Sequence, residues 1–191
     1  MPASYPTSSK TFTTKSDGAG NTILAAHIND LQLEVTAIET DLIAGLPASR
    51  GGTGTTTGGT GSWTPVIGGS GGTSGQVYST QFGRYNKLGT QVTAWFRVQL
   101  STLGTITTDV QIQGLPFTAE NTTNFSACVT IGRWTNLTTA LVQLSGVLEP
   151  NTTAITLWGA GSAVTGVSKL AQADLAATSY LEGTITYRAT T

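Results

Sequence analysis

One stretch of ten residues constrains the fold more than any other. Val92, Ala94, Phe96, Val98 and Leu100 alternate strictly with Thr93, Trp95, Arg97, Gln99 and Ser101. A period of two places successive side chains on opposite faces of a β-strand, so one face of this strand is apolar and meets a core while the other is polar. Similar short runs occur at Asp109–Gln113, Phe125–Ile131, Thr139–Leu148, Ala154–Trp158 and Leu181–Arg188. Turn formers separate them: Asn86-Lys87-Leu88-Gly89, Gly114-Leu115-Pro116, Glu149-Pro150-Asn151 and Gly159-Ala160-Gly161. Many short strands at regular spacing predict a mainly β chain whose residues 76–191 form an antiparallel, jelly-roll-like β-sandwich, with a helical turn or two within 169–177.

Composition agrees once the polar faces are considered. Charged residues make up 10% of the chain, against about 25% in an average soluble protein. Thirty-seven threonines take their place, and Thr is both polar and β-branched, so it suits the outer face of a strand. The net charge of −1 and the scatter of the nine Lys and Arg leave no basic run for phosphates, so nucleic acid is not an expected partner. No apolar run approaches the ~20 residues needed to cross a bilayer, and membrane insertion is not expected. The opening Met1–Thr7 lacks the charged-then-apolar pattern of a secretory leader, so export by that route is not expected either.

A different period governs residues 23–44. Leu24, Ile28, Leu31, Val35, Ile38 and Leu42 are spaced 4, 3, 4, 3, 4, the a/d alternation of a heptad. Gly45 and Pro47 stop the helix. A lone helix of about this length is marginal in water, so its stripe must be buried, either on the chain's own β domain or in a short self-associating coiled coil. The Gly/Thr-rich stretch 45–75 reads as a linker that separates the helix from any β core, which favours self-association. The a/d residues do not choose between dimer and trimer. Within that stretch Trp63-Thr64-Pro65-Val66-Ile67 is expected to dock as an edge strand, given its proline. Residues 1–22 form an irregular Thr/Ser-rich arm.

Little chemistry is available. His27 is the single histidine and Cys128 the single cysteine, too few for a conventional zinc site. Any histidine-based triad would have to be built on His27, in the heptad segment and far in sequence from Cys128, and Cys128 reads as a buried small hydrophobe. Gly54 and Gly59 have phosphate-loop spacing, but Thr60 stands where the lysine belongs. Five carboxylates follow residue 45, Asp109, Glu120, Glu149, Asp174 and Glu182, and no motif pairs them for hydrolysis. No catalytic, metal or cofactor residue is therefore expected, and the chain is read as a non-enzyme. The aromatics offer binding instead. Trp95 lies opposite the Phe96 face, so Trp95, with Trp134 and Trp158, is a candidate for a subunit interface or a platform on which a sugar ring stacks.

Several stretches resemble known proteins. Arg50-Gly51-Gly52-Thr53-Gly54 after Leu46-Pro47-Ala48-Ser49 resembles a short linker common in tail fibres of tailed bacteriophages. Gly83-Arg84-Tyr85-Asn86-Lys87-Leu88-Gly89-Thr90-Gln91-Val92, followed by Ile112–Phe117, resembles a β domain of phage fibre and other virion proteins. Thr11–Lys15 with Ala25–Gln32 is similar to the N-termini of phage structural proteins. The resemblance implies a virion protein assembled in the host cytoplasm. It would be a homotrimer whose arm, residues 1–22, contacts other virion proteins and whose β domain points outward, with attachment to a host-surface glycan as its outward task. A capsid-decoration or adaptor protein is the alternative, and a surface-polysaccharide hydrolase a distant third.

Overall fold

The structure, a computed structural model, describes residues 25–43 and 59–190. The chain divides into two units at Thr56–Thr57.

In the first unit, α1 (Ala25–Ile43) occupies the heptad segment. Of the stripe residues, Leu31, Val35 and Ile38 are about half exposed, at 56%, 45% and 47%. Leu24 lies outside the described residues, as do the side chains of Ile28, Leu42 and His27. Thr36 and Thr40 turn their hydroxyls back onto the carbonyls of Gln32 and Thr36, so neither adds a free polar group to the helix surface. No described helix is long and apolar enough to cross a membrane.

The second unit is antiparallel β. Its strands are β1 (Gly59–Trp63), β2 (Val66–Gly69), β3 (Gly72–Ser74), β4 (Val77–Leu88), β5 (Gln91–Thr102), β6 (Thr105–Thr107), β7 (Val110–Gln113), β8 (Ala127–Leu137), β9 (Gln143–Leu148), β10 (Ile155–Ala160), β11 (Ser168–Lys169) and β12 (Leu175–Arg188). A single 3-10 turn, Gln172–Asp174, precedes β12. Ten strands form one continuous sheet in the order β1-β4-β5-β12-β8-β9-β10-β7-β2, with β11 added on β10; β3 and β6 form a separate ribbon. The expected pair of packed sheets is thus replaced by one sheet that curls around its own core.

The chain's own continuity forces the curl. β1 and β2 stand at opposite ends of the strand order, yet only Thr64 and Pro65 separate them. β1 pairs with β4 until Trp63 lies opposite Gly83. Pro65 has no N–H to continue that ladder, and the chain leaves β4 to pair with β7. The seam is held by side chains of β4. The Tyr78 hydroxyl accepts from the Ile67 N–H at 2.9 Å and donates to the Ile67 carbonyl at 3.2 Å, while the Gln81 amide donates to the Pro65 carbonyl at 2.9 Å. Trp63 and Val66-Ile67, expected as one edge strand, belong to two strands at the ends of the order, and the flanking parts of 59–74, read from sequence as linker, are also part of the fold. Their glycines mask strand character because they allow close approach: a Cβ at Gly69 would stand 2.3 Å from the Thr107 carbonyl oxygen. The remainder of the expected linker, 45–58, and the arm, 1–22, lie outside the described residues.

Inside the curl the alternation of β5 is realised in full. Val92, Ala94, Phe96, Val98 and Leu100 are all buried, together with Ile67, Ile112, Leu148, Ile155, Leu157, Leu181 and Ile185. Trp63 closes one side, its indole N–H shared between the Arg84 and Trp95 carbonyls at 3.2 and 3.1 Å and its ring edge-on to Phe96 at 6.3 Å. Gly83 makes room for that indole; a Cβ there would stand 2.7 Å from the indole and 2.6 Å from the Trp63 carbonyl oxygen. Cys128 is exposed, contrary to the expectation of burial, because on β8 the buried positions are Val129 and Ile131 and Cys128 takes the opposite face.

Candidate functional site

The outer face of β4, β5, β12 and β8 carries the densest grouping of aromatic and charged side chains. Cross-strand register sets it out in two adjacent rows. The first runs Phe82, Arg97, Glu182, Arg133 and the second Arg84, Trp95, Thr184, Thr130. Phe82 and Trp95 are 53% and 41% exposed, although both are large apolar residues.

A β-bulge puts Arg133 in its place. Val129 and Ile131 face the core, so strict alternation would send residue 133 inward too. Between the Gly183–Ile131 and Glu182–Arg133 pairs the register shifts by one residue, leaving Gly132 as the extra residue. Beyond it Arg133 stands outside, beside Glu182, and Trp134 packs half-buried against the core.

Three groups converge on Glu182. Arg97 donates to Oε1 at 3.0 Å, Arg133 to Oε2 at 2.8 Å, and the Tyr180 hydroxyl to Oε2 at 2.5 Å. Arg133 also donates to the Tyr180 oxygen and lies over its ring, 4.6 Å from the centroid. The Tyr180 hydroxyl above all, then the two guanidiniums, draw the Glu182 carboxyl down from 4.5 to about 2. Glu182 is a permanent anion in neutral solution, and the triad is wet: the Arg97, Arg133 and Glu182 side chains are 49%, 58% and 35% exposed.

Trp95 stands between two shallow grooves. One, of about 360 Å³, runs beside Thr130, Gly132, Arg133 and Thr184; the other, of about 380 Å³, runs beside Thr80, Phe82 and Arg97. Both touch Trp95 and Glu182, so together they cross four strands, or ~14 Å at ~4.8 Å per strand spacing. A wider hollow of about 640 Å³ lies by Leu88, Phe125 and Arg188, but there Arg188 is held by Glu120 at 3.0 Å.

Of the three tryptophans singled out from sequence, the structure places only Trp95 in this face. Trp134 is turned to the core side by the bulge. Trp158 lies on β10, half-buried, with the Lys169 ammonium 5.7 Å from its ring centroid. The other four carboxylates of the β unit are each engaged elsewhere: Asp109 with Lys169, Glu120 with Arg188, Glu149 with Ser126 and Asp174 with Thr139. Among the described residues no three His, Cys, Asp or Glu cluster as a metal site. Phe82, Arg84, Arg133 and Tyr180 were not found from sequence, and Glu182 stood there only as one of five unpaired carboxylates, because only the pairing of four strands brings them together. The one local signal was Gly132 inside an otherwise regular strand pattern.

Neither protein-family models nor curated protein sequences match the chain. Among solved structures, the crystal structure of the Dettilon tailspike protein is similar in fold, with a TM-score of 0.56 and 20% sequence identity over 69% of this chain. The match covers 24% of that protein, so this chain corresponds to about a quarter of its length.

Proposed function

We propose that the protein is a tail component of a bacteriophage virion that attaches to a glycan on the host surface through the Trp95 face. Residues 1–22 join the particle, the heptad helix holds three copies together, and the β unit is displayed. The fold likeness to a tailspike protein and the virion-type motifs support the class. The observation that carries the attachment role is the exposed Trp95, standing between two open grooves and next to a wet ion triad.

Of the two uses the sequence left open for Trp95, the triad supports the sugar platform over the subunit interface. A dry interface between copies would bury Arg97, Glu182 and Arg133, and removing charges from water costs several kcal/mol per ion before their attraction is recovered. Interface cores are correspondingly poor in charge. A sugar ring stacks on an indole while its hydroxyls exchange hydrogen bonds with such groups and with water, so it leaves the charges hydrated.

The reading is of binding without cleavage, and the low pKa of Glu182 supports it in one respect: a glycosidase acid must hold a proton near neutral pH, and the hydrogen bonds on Glu182 draw its carboxyl down to about 2. The purified full-length protein should occupy receptors and block particle adsorption to host cells, and mild periodate oxidation of cell-surface sugars should remove those receptors. Adsorption unaffected by saturating protein would contradict the attachment role. Release of reducing ends from host polysaccharide would contradict the non-enzymatic one.

A further inference from the structure

Resting on the glycan-attachment reading, we infer that the Trp95 face selects an acidic sugar, one carrying a carboxylate, over a neutral one. Three guanidiniums, Arg84, Arg97 and Arg133, share these two rows with one carboxylate, Glu182. The face therefore carries a local charge of 3 − 1 = +2, on a chain whose net charge is −1. The excess is a property of this face and not of a basic composition.

The donors are arranged to be used. Arg97 and Arg133 each spend only Nη2 on Glu182, and among the described residues Nη1 and Nε of both make no hydrogen bond. Glu182 fixes the two guanidiniums in place without exhausting their forks, and such preset donors suit a planar carboxylate. Arg84 has no ion-pair partner among the described residues and lies directly across from Trp95. A ring stacked on Trp95 would have a guanidinium on the β4 side, from Arg84, and others along the neighbouring row. The Arg84 guanidinium lies 6.0 Å from the Phe82 ring centroid, and Phe82 lines the next groove, so a sugar adjacent to the one on Trp95 would meet the Phe82–Arg84 pair.

The experiment uses the full-length protein and polysaccharide extracted from the host surface. One half is left native and the other has its carboxylates reduced to alcohols, a change that removes charge and keeps the rings. Calorimetry should show binding to the native material, weakened by added salt, and at least about tenfold weaker binding after reduction. Arg84→Gln, which breaks no ion pair, should weaken native binding by about tenfold with unchanged melting, the loss of one charge-assisted hydrogen bond. Equal binding of native and reduced polysaccharide, or a native affinity indifferent to salt and to Arg84→Gln, overturns the acidic selection and leaves glycan attachment standing. No binding to either form overturns both.

Discussion

Glu182 accepts three hydrogen bonds at the centre of the outer face, and its titration follows from them. In the unfolded chain it takes up a proton near pH 4.5, whereas in the folded state it holds out to about 2. A depressed carboxylate contributes stability that is complete above pH 4.5 and is lost as pH falls from there toward 2. Glu182→Gln should therefore lower the melting temperature at neutral pH, and the gap from the parent should close across that window. Tyr187 gives the opposite limb. Its buried hydroxyl donates to the Phe117 carbonyl at 2.9 Å, and burial pushes its pKa from 10 up to about 12. Stability from this group is full below pH 10 and falls as pH rises toward 12. Tyr187→Phe should lose about 1 kcal/mol at neutral pH and lack that alkaline fall, both readable in urea titrations at stepped pH. Gly83 acts through space alone: Gly83→Ala drives a methyl into Trp63 and should cost about 1–3 kcal/mol. The apolar partners of these residues were legible, since each alternates in its own strand. Arg133 was not, because one residue of bulge at Gly132 reverses the face on which it emerges, and with it the pairing to Glu182 stayed hidden.

Among elements, the long strands were the most readable. β5 declares itself by alternation, and its buried set is the one the sequence assigns. Of β1, β2 and β3 only the Trp63–Ile67 part was expected as an edge strand; the rest was hidden by glycine and threonine, which resemble a flexible linker in composition while here they permit backbone to pass close to backbone. The closure of one sheet instead of two rests on Pro65 and the Tyr78 seam, a long-range pairing that no local period encodes. For α1 the period is plain, and the structure leaves Leu31, Val35 and Ile38 half exposed. If that stripe joins three helices, Ile28→Asp with Val35→Asp sets three like charges into each of two layers, and incorporation into particles should drop sharply. Particles that assemble normally with this variant would show that the stripe is not an interface.

Within the β unit, the first and last strands share an end. Gly59 pairs with Lys87 and Arg188 with Gln91, so the start of β1 and the end of β12 lie at the same end, and the Trp95 rows lie part-way along the strands. A ligand reaching those rows approaches the side of the unit, which suits a polysaccharide strand lying across it. Native mass of the full-length protein should give three copies; a monomer at micromolar concentration would contradict the heptad reading. The attachment claim itself is tested most directly by Trp95→Ala, with melting and cell binding measured on the same preparation. Because Trp95 is 41% exposed and faces open grooves, its loss should leave melting nearly unchanged while binding to host cells disappears. Were Trp95 instead packed between copies, its removal would open a cavity of the kind that costs about 3–5 kcal/mol. Early melting or dissociation of the assembly, with cell binding retained by the folded fraction, would contradict the account.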